Sequence, residues 1–190
     1  MSSKLNLGCG TRPLEGWVNL DVVPGDGVDV VADLDRCRTT PLPFPDESFD
    51  EFRALHVLEH LRDPLPFVEE LYRIAKPDGI ALIFLPYGSS DDAFEDPTHV
   101  LPWFPRSFTG FAQVAPKGPF PGYRADWITE QIVLDVKAER LQGKTVSELL
   151  EEVDRFRNVV LQMRVSLRAH KPARAAAVVS VAPPISFNAI

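Results

Sequence analysis

Cysteine is scarce in this chain: Cys9 and Cys37 are the only two. A disulfide framework is therefore not what organises the fold, and both residues read as reduced thiols of a cytoplasmic protein. Long apolar runs are also lacking. None approaches the ~20 residues that a membrane-spanning helix needs, and the N-terminus carries no apolar signal core. A basic surplus is missing too, since 20 Lys and Arg stand against 27 Asp and Glu, for a net charge of −7. That balance argues against a general grip on nucleic-acid backbone, which needs clustered positive charge. No segment repeats. What remains is a chain of 190 residues, 45% of them hydrophobic, which is enough for one domain with a full core.

The start of the chain is its most informative stretch. Leu5-Asn6-Leu7 breaks into the turn Gly8-Cys9-Gly10, and a second apolar run, Trp17-Val18-Asn19-Leu20, ends at Asp21. A third, Val28 to Ala32, ends at Asp33. Strand, glycine turn, strand, acid is how an α/β sheet builds a nucleoside pocket at the carboxyl ends of its strands. Glycines let backbone approach a ligand closely, and a following carboxylate can accept bonds from two ribose hydroxyls. Taken alone, Gly-x-Gly fits any tight turn.

Later segments narrow the reading. Leu42-Pro43-Phe44-Pro45-Asp46-Glu47-Ser48-Phe49-Asp50 leads through Glu51-Phe52-Arg53-Ala54-Leu55 into His56-Val57-Leu58-Glu59-His60-Leu61. Leu71 to Gly79 then precedes the apolar Ile80-Ala81-Leu82-Ile83-Phe84-Leu85-Pro86. In this order and spacing the chain resembles the class I S-adenosylmethionine-dependent methyltransferases. The likeness is nearest to small bacterial enzymes with a Pro-Phe-Pro-Asp-x-Ser-Phe-Asp segment and a Leu-Glu-His segment, and it is clear over residues 4–110.

The resemblance implies a Rossmann-like α/β fold with a mostly parallel seven-stranded sheet and an antiparallel last strand. It implies S-adenosylmethionine as cofactor. Gly8, Cys9 and Gly10 would pack against its methionine and ribose, with Asn6 near the methionine end. Asp21 would hold the ribose hydroxyls, Asp33 and Leu34 would meet the adenine edge, and Leu55 and His56 would flank the sulfonium. The chain departs from the family in places. Asn6 stands where an acid is usual, and Arg12 where a third glycine often sits. Only Thr11–Gly16 separates the first two strands, whereas a parallel crossover normally takes about a dozen residues or more. The first helices are therefore expected to be cut to turns.

Further along, the fourth strand is expected over Phe49–Leu55. A helix should follow with Asp63 as N-cap and Pro64 at its first position, and a fifth strand over Ile80–Leu85. Residues 87–127 carry many aromatics, which read either as core or as a lid over an acceptor pocket. A sixth strand should span Trp127–Val136. Thr145 and Glu148 make a capping box for a helix. Alternation of Leu161, Met163, Val165 and Leu167 with Gln162, Arg164, Ser166 and Arg168 marks the last strand. One domain over residues 1–172 is expected, then a tail, 173–190, expected to be poorly ordered or to dock on a partner.

Three of the four histidines fall near the expected active edge. His-x-x-Glu-His is the inverted zinc-protease signature, but that chemistry needs both histidines on one helix, and here a strand end precedes them while Pro64 and Pro66 follow. The small-RNA 2'-O-methyltransferases and the ubiquinone-pathway O-methyltransferases resemble it better. They carry Glu-x-x-Glu-His here and hold a divalent metal with it. On that likeness His56, Glu59, His60 and His99 would form a metal set, and three imidazoles with one carboxylate suit a transition metal better than magnesium. In the alternative, Glu59 and His60 pack or cap without metal, and His60 or His99 acts as general base. His170 reads as a surface residue.

The implied reaction is methyl transfer to an oxygen or nitrogen nucleophile of a small-molecule or sugar-linked acceptor, with no membrane or nucleic-acid partner and the oligomeric state open. Two rivals stand beside it. One is a protein that binds the cofactor or a partner without catalysis. The other is a nicotinamide dehydrogenase, disfavoured because no helix opens at the glycine turn to receive a pyrophosphate.

Overall fold

Leu5 and Leu7 alternate with Lys4 and Asn6, so the first strand, β1 (Lys4–Leu7), sends its leucines to one face. In the computed structural model, which describes residues 3–115, 117–179 and 184–190, that alternation runs across the whole sheet. The further elements are β2 (Val18–Asp21), β3 (Val30–Val31), β4 (Phe49–Leu55), α1 (Pro64–Ile74), β5 (Ala75–Pro86), α2 (Asp92–Glu95), β6 (Val114–Ala115), β7 (Trp127–Val136), α3 (Ala138–Leu141), α4 (Val146–Arg155), β8 (Val160–Ala169), β9 (Ala177–Val178) and β10 (Ile185–Ala189). Eight strands form the main sheet in the order β10-β7-β8-β5-β4-β1-β2-β3, and β6 pairs with β9 in a small second one.

The sheet is parallel except at β8, which runs antiparallel to both β5 and β7. After β3 the chain returns to the other side of β1 and lays β4 there. This reversal of strand order lies beside β1, and its carboxyl end is where open α/β sheets bind ligands. Strands β4 and β7 fall on the expected residues. The sheet has eight strands rather than the expected seven, because the segment set apart as a tail is taken up by it. Ile185–Ala189 pairs in parallel with Ile132–Val136, since β7 would otherwise leave an unpaired edge. Ser180 to Pro183 lie outside the described residues.

Register puts the core on one face. Leu5, Phe52, Ala81 and Leu167 lie side by side across four strands, as do Leu7, Ala54, Ile83 and Val165. All eight are buried. Helix α1 covers them with Phe67, Val68, Leu71 and Ile74, and Leu141 and Val153 from α3 and α4 pack on the same cluster. The opposite face carries Glu51, Arg53, Ile80, Leu82, Phe84, Arg164, Ser166 and Arg168, each only partly buried. Helices that would cover it are replaced by short links after β1 and β2. There the face is closed by the loop 11–17 over Asn6 and Asn19, which are 4% and 5% exposed.

Local signals hold with one change. Thr145 accepts from the Glu148 N–H while the Glu148 carboxylate accepts from Thr145, as a capping box should. Asp63 occupies the N-cap of α1 but makes no cap bond. Its carboxylate is held by the Arg38 guanidinium at 2.6 Å instead. Trp103, Phe108, Phe111, Tyr123 and Trp127 are core residues. Among the described residues no helix is long and apolar enough to cross a membrane.

Candidate functional site

The turn after β1 is forced by its glycines. Gly8 and Gly10 have φ of 59° and 51°, in the left-handed region that favours glycine. A Cβ on Gly8 would meet Cγ2 of Val57 at 2.6 Å, so the glycine also admits the loop after β4. Cys9 N–H donates to Leu20 O at 3.0 Å, and Arg12 N–H closes the turn on Cys9 O at 2.8 Å. Cys9 itself is buried, and burial together with the nearby Asp21 pushes its thiol up. It is a small filler, not a nucleophile. Burial also raises Cys37, to about 12.

Asp21 is aimed at this turn. Its Oδ2 accepts from Gly10 N–H at 2.7 Å and its Oδ1 from Val23 N–H at 3.0 Å. Each carboxylate oxygen has two lone-pair positions, so both can accept again from a pair of hydroxyls. Asp33 caps a 3-10 turn by accepting from Asp35 N–H and pairs with Arg36 at 3.2 Å. Leu34 is buried in the core, so its side chain serves packing. Asn6 is buried as well, its amide donating to Asn19 Oδ1 at 3.0 Å, so it braces the turn from beneath.

At the end of β4, Leu55 is half-buried and His56 takes φ 53°. A left-handed histidine is uncommon and marks a constrained position. Its N–H still extends the sheet, donating to Phe84 O, while its Nδ1 lies 3.0 Å from Glu59 Oε1. The hydrogen bond to Glu59 raises the His56 pKa, against the opposing effect of burial. The Glu59 side chain is 3% exposed, and its second oxygen, Oε2, is buried with no partner among the described residues. Its backbone carbonyl accepts from Val100 N–H at 2.8 Å, tying this turn to the loop after β5.

That tie brings His60 and His99 together, their ring centres 4.8 Å apart. Glu59, His60 and His99 can each offer a ligand atom, all within 4.8 Å of one another. His99 Nδ1 is buried and unpartnered, like Glu59 Oε2. Thr98 fixes the tautomer of His60. The Thr98 hydroxyl donates to Asp96 Oδ1 at 2.6 Å, so both Thr98 oxygens near His60 Nδ1, at 3.0 and 3.3 Å, must accept. His60 Nδ1 then carries the proton and Nε2 keeps a free lone pair. His56 stands outside this close set and touches it through Glu59. The structure brings Glu59, His60 and His99 together where the loops after β4 and β5 meet, and joins His56 to them through Glu59. Thr98, Asp96 and Val57 gave no signal beyond adjacency. The segment Leu58–His60 is a single 3-10 turn, so the histidines share no helix and the protease arrangement is not met.

A family model described as "Methyltransferase domain" matches residues 18–83. A probable S-adenosylmethionine-dependent methyltransferase of Mycolicibacterium smegmatis is 37% identical over 54 residues, 28% of this chain and 21% of that protein. An uncharacterised methyltransferase of Schizosaccharomyces pombe is 50% identical over 38 residues, 20% of this chain and 14% of that protein. The matched segments thus span only 21% and 14% of those relatives' length. Among solved structures, a SAM-dependent methyltransferase of Archaeoglobus fulgidus superposes with TM-score 0.59 at 17% identity, covering 88% of this chain and 86% of that one. The YcgJ protein of Bacillus subtilis gives TM-score 0.58 at 15% identity, covering 90% and 93%. The family match runs from β2 into β5 and contains Asp21 and the histidine turn, while the turn Gly8–Gly10 precedes it. The fold is thus the one these solved methyltransferases share, and residues 18–83 carry the match to the methyltransferase-domain family.

Proposed function

We propose that the chain transfers a methyl group from S-adenosylmethionine to an oxygen or nitrogen of a small-molecule or sugar-linked acceptor. One observation carries this reading: the glycine turn with Asp21 and the Glu59–His60–His99 cluster lie at the same edge of the sheet, joined by the contact of Val57 with Gly8. The cofactor supplies an electrophilic methyl on a sulfonium, and the displaced pair of electrons returns to sulfur as a neutral thioether. Asp21 accepts the ribose hydroxyls. The turn Gly8–Gly10 offers close backbone approach, and His56 with Leu55 bounds the sulfonium end. With no metal bound, His60 Nε2 takes the proton that the acceptor releases, with Thr98 holding the ring in the required tautomer. Alignment supplies most of the rate, as in other displacement reactions between bound partners.

A metal is the alternative use of this cluster, suggested by two atoms left without partners among the described residues. Glu59 Oε2 and His99 Nδ1 are buried without partners, and a divalent cation would satisfy both. With His60 Nε2 they make a mixed nitrogen and oxygen set, which suits zinc, manganese, iron or nickel. Such an ion would lower the pKa of an acceptor hydroxyl. His56 then orients Glu59 as an outer partner. The two buried free thiols fit a reducing, cytoplasmic setting.

Calorimetry with S-adenosylhomocysteine tests the cofactor half, and Co(II) titration followed by its visible absorption tests the metal half. Binding of the nucleoside, and a tetrahedral cobalt spectrum lost in Glu59→Gln, are expected. Formation of S-adenosylhomocysteine on incubation with fractionated cell metabolites separates an enzyme from a non-catalytic binding protein. A chain that binds the nucleoside and turns over with no fraction would establish the latter.

A further inference from the structure

One buried side chain sits under the cofactor turn and is used by nothing described so far. Asn19 lies on β2, in register with Asn6 on β1. Its Oδ1 accepts from Leu14 N–H at 2.8 Å and from Asn6 Nδ2 at 3.0 Å. Its Nδ2 donates to Leu14 O at 3.1 Å and Trp17 O at 3.2 Å, and lies 3.4 Å from Asp29 Oδ2. Both lone pairs and both amide hydrogens are thus engaged. The amide orientation is fixed by chemistry, because the Leu14 N–H can meet only an oxygen. Asp29 completes the unit by accepting Asn19 N–H at 2.7 Å. Asn6 adds a longer tie to Arg12 O, at 3.4 Å.

These bonds hold Leu14 and Trp17, and through Asn6 they reach Arg12. They span the loop that stands where a helix normally follows the first strand. In a doubly wound sheet that helix packs on the sheet and fixes the glycine turn at its amino end. Here the loop returns to β2 in a few residues and is held by single turn bonds, such as Trp17 N–H to Leu14 O at 3.3 Å. It connects directly to the cradle: Arg12 N–H binds Cys9 O, Gly10 N–H binds Asp21, and Asp21 is two residues beyond Asn19.

We propose that Asn19 is the positioning residue of the cofactor cradle, holding with one saturated amide the turn that a helix holds elsewhere in this fold. The inference rests on the reading of Gly8–Gly10 and Asp21 as the cofactor site. Asparagine is specified because only an amide presents donors and an acceptor from the same short stem. Asp29 and Asn6 are its supports, and Trp17 is fixed through its carbonyl.

The isosteric variant N19D tests this. It keeps the acceptor but turns a carboxylate toward Leu14 O, Trp17 O and the Asp29 carboxylate. Binding of S-adenosylhomocysteine should weaken on the order of tenfold or more at pH 8, the equivalent of one lost charged contact. The deficit should shrink at pH 5.5, where a protonated carboxyl regains one donor, while the parent chain shows no such recovery. Arg174→Ala, which destabilises a remote part of the molecule, should leave affinity unchanged, so a merely structural loss is told apart. Should N19D fail to fold, Asn6→Ala followed by amide hydrogen exchange takes its place, with faster exchange confined to residues 9–14 and weaker binding expected. Parent-like affinity in either folded variant overturns the positioning role. A parent chain that binds no S-adenosylhomocysteine overturns the cofactor reading itself, and with it this inference.

Discussion

His56 joins strain, charge and position in one residue. Its hydrogen bond to Glu59 raises its pKa above the usual value of 6.5, so the folded state binds the proton more tightly than the unfolded chain does. The stability gained is complete below pH ~6.5 and is lost as pH rises through the folded value. An NMR titration should place the His56 midpoint above 6.5, and Glu59→Gln should bring it down. A midpoint unmoved by Glu59→Gln would remove the pair. Asp21 makes a simpler case. It is already oriented by two backbone donors, so Asp21→Ala should weaken S-adenosylhomocysteine binding by about 1.5–3 kcal/mol, the usual worth of hydrogen bonds to a charged group. Unchanged calorimetric affinity in a folded variant would take Asp21 out of the ribose site.

At the scale of elements, α1 is a clamp for the segment before β4. Glu70, 8% exposed, accepts from Leu42 N–H at 2.6 Å and from Arg73 at 2.6 and 2.9 Å. Arg73 in turn holds Leu42 O, Phe44 O and Asp46. The Pro-Phe-Pro-Asp segment that marks the family resemblance is therefore a structural strap, tied to the helix that crosses above it. Glu70→Ala leaves Arg73 and the Leu42 N–H unmatched and should cost about 3 kcal/mol, as breaking a largely buried pair does. Chemical denaturation that finds less than a third of that would assign the strap to packing alone.

Alternation in Leu161–Arg168 and the apolar run Ile80–Leu85 disclosed their strands because burial imposes a period on side chains. The capping box at Thr145 was legible because it is local. Asn19 was passed over, since a polar residue in an apolar run reads as an interruption, and its partners Leu14 and Asp29 are meaningful only once the loop has folded over it. The tie between His60 and His99 was legible in outline, because both follow strands at one edge. Thr98, which sets the proton on His60, was not, because tautomers are decided by geometry. The acceptor of β7's free edge could not be read at all. Ile185–Ala189 lies some fifty residues from its partner strand, and its composition alone does not say where it pairs.

Across the whole molecule, the C-terminal segment is tied in at a buried point. Asp126 is fully buried, and the Arg174 guanidinium holds both its oxygens, at 2.7 and 2.8 Å. Its backbone neighbours join in, with Gln113 N–H donating at 2.9 Å. Arg174→Ala would leave a carboxylate in the interior with its chief partner gone, at a cost of about 3–5 kcal/mol. Melting should drop accordingly while S-adenosylhomocysteine affinity holds. Parent-like melting would show that the segment after Pro172 adds nothing to the fold.

The half-covered sheet has a calorimetric consequence. Where Arg53, Leu82, Phe84 and Arg164 face outward, water already touches side chains that a second layer of helices would keep dry. Unfolding therefore hydrates less new apolar surface per residue than in a three-layer protein of equal length. The heat-capacity increment should fall below the usual value of about 12–15 cal/mol/K per residue. With a smaller increment, the curve of stability against temperature flattens. Scanning calorimetry should thus find a chain whose stability changes little between cold and physiological temperatures, because much of its sheet never left the solvent.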